Sequence, residues 1–255
     1  MGQLASGLSG GNATVSSTSI AASSADTTIA YDAPSATYTV KSGSEMASLG
    51  TADRGSDSST GPVYSKTAGT ISDTLALLGN VQSGSVAPPI ALTYTSYGQW
   101  THSDSASGRT AIRYLLFGRP TGASDMPKTG TASYQTIVSA YKLETGFVPS
   151  QMTNLSGTAT FQANFGNGTV GTTLSIANGT FDGTGNISGD TFAGAFTSSV
   201  PTFVAGSFTG GFFGPSAKEM GYAFRITQHN SDPYAGAGPS AADTYISGVV
   251  LGVKN

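Results

Sequence analysis

Cysteine is missing from all 255 residues, which excludes disulfides, thiolate metal sites and a cysteine nucleophile within this sequence. Histidine occurs only twice, at His102 and His229, so a histidine-rich metal cluster is excluded and general bases near neutral pH are scarce. Charge is thin as well. Lys+Arg 11 and Asp+Glu 14 make up 10% of the chain with a net −3, against about a quarter in an average soluble domain. The basic residues are scattered, so there is no electrostatic footprint for a nucleic acid and no charge-based hold on an acidic membrane. No apolar run approaches the roughly 20 residues of a spanning helix, and no transmembrane segment is expected.

What the chain does have is glycine, 35 residues of it, and enough hydrophobic content at 38% for a real core. Its second half is written in period two. Ala159, Phe161, Ala163 and Phe165 alternate with Thr158, Thr160, Gln162 and Asn164, the mark of a half-buried strand. Asn167-Gly168 follows, a pair suited to a type I′ turn, and Val170, Leu174 and Ile176 line one face of the next run. Further runs at 134–141, 181–187, 192–196 and 245–253, with both arms of a hairpin over 206–226, give about eight short strands. That count and spacing predict an antiparallel barrel or sandwich. The inward set comprises Phe161, Phe165, Leu174, Ile176, Phe192, Phe196, Phe208, Phe212, Tyr222, Phe224 and Ile226. So many bulky side chains should fill an eight-stranded interior, which holds at most one small ligand. The opposite faces are Thr, Ser, Gln and Asn, which does not suit a lipid-facing wall.

Three regions are expected. Residues 1–28, rich in Ser, Thr and Ala, read as a flexible tether. Residues 29–127 read as a smaller β-rich domain, with strands at 38–41, 90–102 and 110–117, a polar loop over 42–65 and one short helix over 71–78. Residues 128–255 form the barrel.

The hairpin over 206–226 carries Gly-Phe-Phe-Gly-Pro-Ser-Ala-Lys-Glu-Met-Gly from Gly211 to Gly221. This run resembles the signature hairpin of the transferrin-binding protein B family, departing from it at Phe213 and Tyr222. An aromatic strand before Phe117-Gly118-Arg119-Pro120 is similar to a second pattern of that family. The resemblance implies a single lobe, mainly β, in which a handle domain precedes an eight-stranded antiparallel barrel. It also implies a non-catalytic protein that captures a host or environmental macromolecule, an iron source or a haem-bearing protein, with an outer-membrane receptor as a further partner. The expected location is the surface of a Gram-negative bacterium, through a lipid anchor on a precursor whose leader is absent from this sequence, or the medium after secretion. A structural or adhesive surface module stays open as the alternative.

Chemistry offers few candidates. Gly7-Leu8-Ser9-Gly10-Gly11 has the spacing of a nucleophile elbow but not the strand-to-helix context that the mechanism needs. The Asp182 to Asp190 stretch offers oxygen ligands for calcium, yet Gly- and Asp-rich turns explain it equally. The ligand-binding candidates are Tyr94, Tyr97, Trp100 and His102, an aromatic strand with an imidazole beside it. Haem is the cofactor such a patch could take, its iron on His or Tyr and its ring under apolar cover; a strand-edge histidine near packed aromatics would look the same. Tyr97 has the opposite parity to Trp100 and His102, so joining them requires an edge position or a bend at Gly98. For a protein partner, contacts are expected from loops around 142–151 and 228–240, the latter placing His229 in solvent.

Overall fold

The computed structural model describes residues 2–10, 17–22, 27–58, 61–77, 81–82, 90–144, 151–229 and 243–255, with backbone alone at 2–10, 17–22, 81–82 and 151. Among these residues the regular elements are strands and two short 3₁₀ turns. The first eleven strands are β1 (Gly2–Gly10), β2 (Ser17–Ala22), β3 (Thr27–Asp32), β4 (Thr37–Ser42), β5 (Glu45–Leu49), β6 (Val63–Ala68), β7 (Ile71–Leu77), β8 (Val81–Gln82), β9 (Ile90–Ala91), β10 (Thr95–Asp104) and β11 (Arg109–Gly118). The remaining nine are β12 (Thr131–Glu144), β13 (Gln151–Leu155), β14 (Gly157–Asn164), β15 (Thr169–Ile176), β16 (Gly179–Ser188), β17 (Thr191–Thr197), β18 (Phe203–Phe213), β19 (Glu219–His229) and β20 (Asp243–Lys254).

The second half closes into the eight-stranded antiparallel barrel that the alternation predicts. β12 pairs with β14, each strand from β14 to β20 pairs with the next, and β20 returns to β12 from Thr244↔Glu144 to Lys254↔Tyr134. β13 adds to the far end of β12. All eleven predicted inward residues lie in one buried cluster. Phe161, Phe192, Phe196, Phe208, Phe212, Tyr222 and Phe224 pack ring against ring at centroid separations of 5.1–6.5 Å, close enough for edge and offset aromatic contact. Small residues make the room. A Cβ on Gly194 would sit 2.5 Å from the Phe208 ring, and one on Gly210 at 2.5 Å from Phe192. The inner faces of β17 and β18 therefore alternate phenylalanine with glycine so that rings cross a barrel too narrow for a uniform layer.

The first half forms a handle of two layers. Its six-stranded sheet has the order β2-β1-β11-β10-β7-β6, with a three-stranded sheet β3-β4-β5 beside it. Ile29, Val40, Ala47 and Leu49 from the small sheet meet Leu75, Leu77, Trp100 and Leu115 from the large one. The opposite face of the large sheet presents Tyr97, Tyr114 and Leu116 to the outer wall of the barrel, where Ala223, Val249 and Leu251 complete a second core.

Several expectations need correction. Of residues 71–78, read as a helix, 71–77 form β7, because Asp73, Leu75 and Leu77 alternate inward with period two, and Gly69 (φ 61) turns the chain back from β6. The polar loop over 42–65 contains β5, where Ala47 and Leu49 alternate in the same way, and the start of β6. The expected tether contributes β1 and β2, with β1 paired to β11 from Gly2↔Gly118 to Gly10↔Thr110. A sheet edge offers backbone hydrogen bonds to any extended segment, so bulky side chains are not required there. At Asn167-Gly168 only the glycine has positive φ, within a four-residue connection; the two-residue turn with both φ positive is Ala177-Asn178. His229 ends β19 and pairs with Asp243, and its side chain is exposed to solvent as expected. Positions 145–150 and 230–242, which hold most of the two loops expected to bind, lie outside the described residues.

Replacing Phe224 with Ala is expected to destabilise by roughly 3–5 kcal/mol, as for other deleted core aromatics, in urea unfolding; a loss under about 1 kcal/mol would remove this ring from the core. Burial also holds the phenols of Tyr114, Tyr134 and Tyr222 neutral, well above their usual range. Only the unfolded chain can then ionise them near pH 10. Melting temperature should therefore fall as pH rises past about 10, and should fall less steeply in Tyr222→Phe.

Candidate functional site

The aromatic strand does not deliver its four side chains to one place. Tyr97 points from β10 toward the barrel, within 5.9 Å of the Tyr114 ring, and is 9% exposed. Trp100 lies on the other face with no exposure at all, between the two handle sheets. Tyr94 precedes β10 at the barrel joint, its ring 5.7 Å from the Lys218 Nζ. Only Trp100 and His102 come together, at 5.7 Å between ring centroids.

Asp73 explains that meeting. The Trp100 indole N–H donates to Asp73 Oδ1 at 2.9 Å, and His102 Nδ1 sits 2.7 Å from the same oxygen. Arg113 stacks over the Trp100 ring at 4.9 Å and pairs with Glu45, which also takes Arg109 at 3.0 Å. Burial lowers the Arg113 pKa and Glu45 opposes the shift. Because Glu45 belongs to β5 and both arginines to β11, the cluster joins the small sheet to the large one. Its aromatic and imidazole rings are spent on packing and on a carboxylate. With Tyr97 on the opposite face and Trp100 sealed, these residues form no slot for a macrocycle and do not fit haem. Asp182 lies within β16 and accepts from the Thr173 hydroxyl at 2.8 Å. Among the described residues no group of three or more His, Asp or Glu is placed to hold a metal.

The polar group that organises the molecule is Glu219. It is fully buried at the start of β19, and its carboxylate accepts three backbone N–H groups from the handle, those of Thr93, Tyr94 and Thr95, at 2.7, 2.8 and 2.8 Å. The connection before it, Pro215–Ala217, holds Ser216 and Ala217 at positive φ, an arrangement that costs energy for residues with a Cβ. Tyr134 donates to the Ala217 carbonyl at 2.7 Å and helps fix it. Gly214, at φ 71, lies so close under the Tyr94 ring that a Cβ would approach to 2.4 Å. Arg119 N–H donates to the Tyr94 carbonyl, Gly214 N–H to that of Arg119, and Thr121 donates twice to the β18 end. Glu219 and Phe117-Gly118-Arg119-Pro120 were visible in sequence, but neither parity nor spacing marks a residue that binds backbone across two domains.

Outward-facing apolar groups are few. Among the described residues the exposed large hydrophobics are Tyr31 (53%), Met46 (62%) and Val204 (46%). Tyr31 begins a row of rings along the handle, 4.6 Å from Tyr38, which is 5.3 Å from Tyr64. Alternation alone does not reveal this row, because its members come from three strands.

Residues 126–244 match the family described as the C-lobe and N-lobe β-barrels of transferrin-binding protein B. The barrel is similar to those of transferrin-binding protein B. Solved structures agree on the fold. Transferrin-binding protein B from Haemophilus parasuis Hp5 aligns at TM-score 0.56 and 17% identity, over 99% of this chain and 46% of that one. The isotype 1 protein from serogroup B Neisseria meningitidis aligns at TM-score 0.51 and 15% identity, over 99% of this chain and 44% of that one. The chain thus spans less than half the length of these relatives. Comparison with curated proteins returns no match.

Glu219→Ala is expected to cost roughly 3 kcal/mol or more, at about 1–3 kcal/mol for each buried N–H left without an acceptor. Glu219→Gln should recover only part of this, since its amide presents a donor to donors. An unfolding free energy within about 1 kcal/mol of the parent for Glu219→Ala would refute the role.

Proposed function

We propose that the protein captures an iron-bearing macromolecule, transferrin-like or haem-bearing, at the surface of a Gram-negative bacterium. The native precursor is lipid-anchored or the protein is released, and an outer-membrane receptor is its downstream partner. The observation that carries this reading is the filled barrel. Its interior is packed with its own rings, so recognition falls to the outside of the lobe. The likeness of the barrel to those of transferrin-binding protein B supports the same conclusion. The exposed end of the tyrosine row, Tyr31 with half-buried Tyr38 beneath it, is the contact surface we assign, since tyrosines give large contact area at low entropic cost. Haem itself is carried by the partner in this reading and not by Tyr94, Tyr97, Trp100 and His102.

Immobilised protein should retain transferrin or haemoglobin from solution. Tyr31→Ala is expected to weaken retention at least tenfold, the scale of an interface hot spot, with melting temperature unchanged. Retention of neither protein, with no shift in the Soret band on adding free haem, would leave the adhesive module as the working account.

A further inference from the structure

We infer that the outer wall of the barrel carries a groove for a neutral oligosaccharide, on a surface separate from the tyrosine row and independent of iron capture. The starting observation is a break in backbone pairing. β12 pairs with β14 from Thr131↔Asn164 to Tyr134↔Phe161, and with β13 from Ala140↔Leu155 to Glu144↔Gln151. Both stretches keep one register, yet residues 135–139 and 156–160 between them form no ladder. The Thr136 hydroxyl spans the break to the Ala159 carbonyl. A recess of about 700 Å³ opens there, lined by hydroxyl and amide side chains such as Ser139, Asn154 and Gln162 and by apolar ones such as Ile137 and Leu155, with Tyr97 of the handle at one side; such a mixture suits a sugar's hydroxyls and its C–H faces alike. A second recess, of about 500 Å³, continues from Gln162 past Gly171, Thr184 and Asn186. The register Gln162↔Gly171↔Thr184 makes this a straight track across β14, β15 and β16.

The chemistry of the track selects its ligand. None of the side chains lining either recess is charged. Amides and hydroxyls both donate and accept, as sugar hydroxyls do, so each can be matched without bringing an ion out of water. An anionic ligand would find no Lys, Arg or His in the lining of either recess. An extended peptide would need a free row of backbone donors and acceptors, and the Thr136 bridge interrupts that row. The volumes fall in the range of small-ligand sites, and two recesses meeting at Gln162 suit several linked rings better than one.

Gly171 is the most informative position. Its φ is not in the left-handed region, and a Cβ there would meet nothing within 4 Å. Neither backbone conformation nor packing requires glycine in the middle of β15, where it weakens a strand. Its absent side chain leaves the floor of the track open.

The test uses the full chain, isotopically labelled, titrated at millimolar concentration with maltohexaose, cellohexaose and chitohexaose, with sialyllactose and an uncharged Ser/Gly decapeptide in parallel. At least one neutral hexasaccharide should shift amide resonances of β14–β16 in a saturable way, sialyllactose and the decapeptide should not, and Gly171→Val should abolish the shifts while keeping or raising the melting temperature. No shift with any of the three hexasaccharides overturns the proposal. So does a response to the decapeptide alone, to sialyllactose alone, or one that survives Gly171→Val.

Discussion

A carboxylate buried without a cation is expensive unless hydrogen bonds replace its water, and the two halves of this molecule are fixed to each other by how Glu219 meets that demand. Its acceptors are filled by three successive amides of the handle, which forces residues 93–95 to turn their N–H groups toward the barrel. That turn launches β10 along the barrel wall with Tyr97 facing inward to the joint and Trp100 facing away. The strained connection at Ser216 and Ala217 and the close approach of Gly214 to Tyr94 serve the same placement.

From this joint the division of labour follows. The large handle sheet is a shared wall, apolar on both faces: one completes the outside of the barrel and the other completes the small sheet. Each layer borrows part of its core from the next. The polar cluster of Asp73, His102, Arg113 and Glu45 therefore sits at an internal seam, and what reaches solvent as recognition surface lies at the molecule's margins: the tyrosine row at the handle rim and the neutral track on the barrel wall.

The barrel was legible in sequence because its strands face a core on one side and water on the other, so hydrophobicity alternates and parity gives every inward residue. The handle was harder for the same physical reason. Its large sheet is buried on both faces, which hides the alternation, and β7 read as a helix because Ile71, Leu75 and Leu78 also recur at helical spacing. β1 and β2 were illegible because strands added beyond β11 at the end of the sheet can be held by backbone pairing, which leaves no apolar pattern in the sequence. The site candidates failed through parity: Tyr97 and Trp100 sit on opposite sides of one strand, and Asp73, which captures Trp100 and His102, comes from a distant stretch of chain. Glu219 was on view within a recognised motif, yet its partners are main-chain amides, which no side-chain pattern advertises.

The return of β20 to β12 has a temporal consequence. A barrel seam made by the first and last strands of the unit cannot close until the final residues are available, and β1 likewise waits for β11. Contacts so distant along the chain make for slow, non-local folding. A chain emerging from its N-terminus therefore passes through a stage in which β12 shows an unpaired edge and the aromatic interior is open on one side. Low β-sheet charge offers little protection against aggregation at that stage, so escort or rapid delivery matters more for this lobe before its last strand arrives than at any time afterwards.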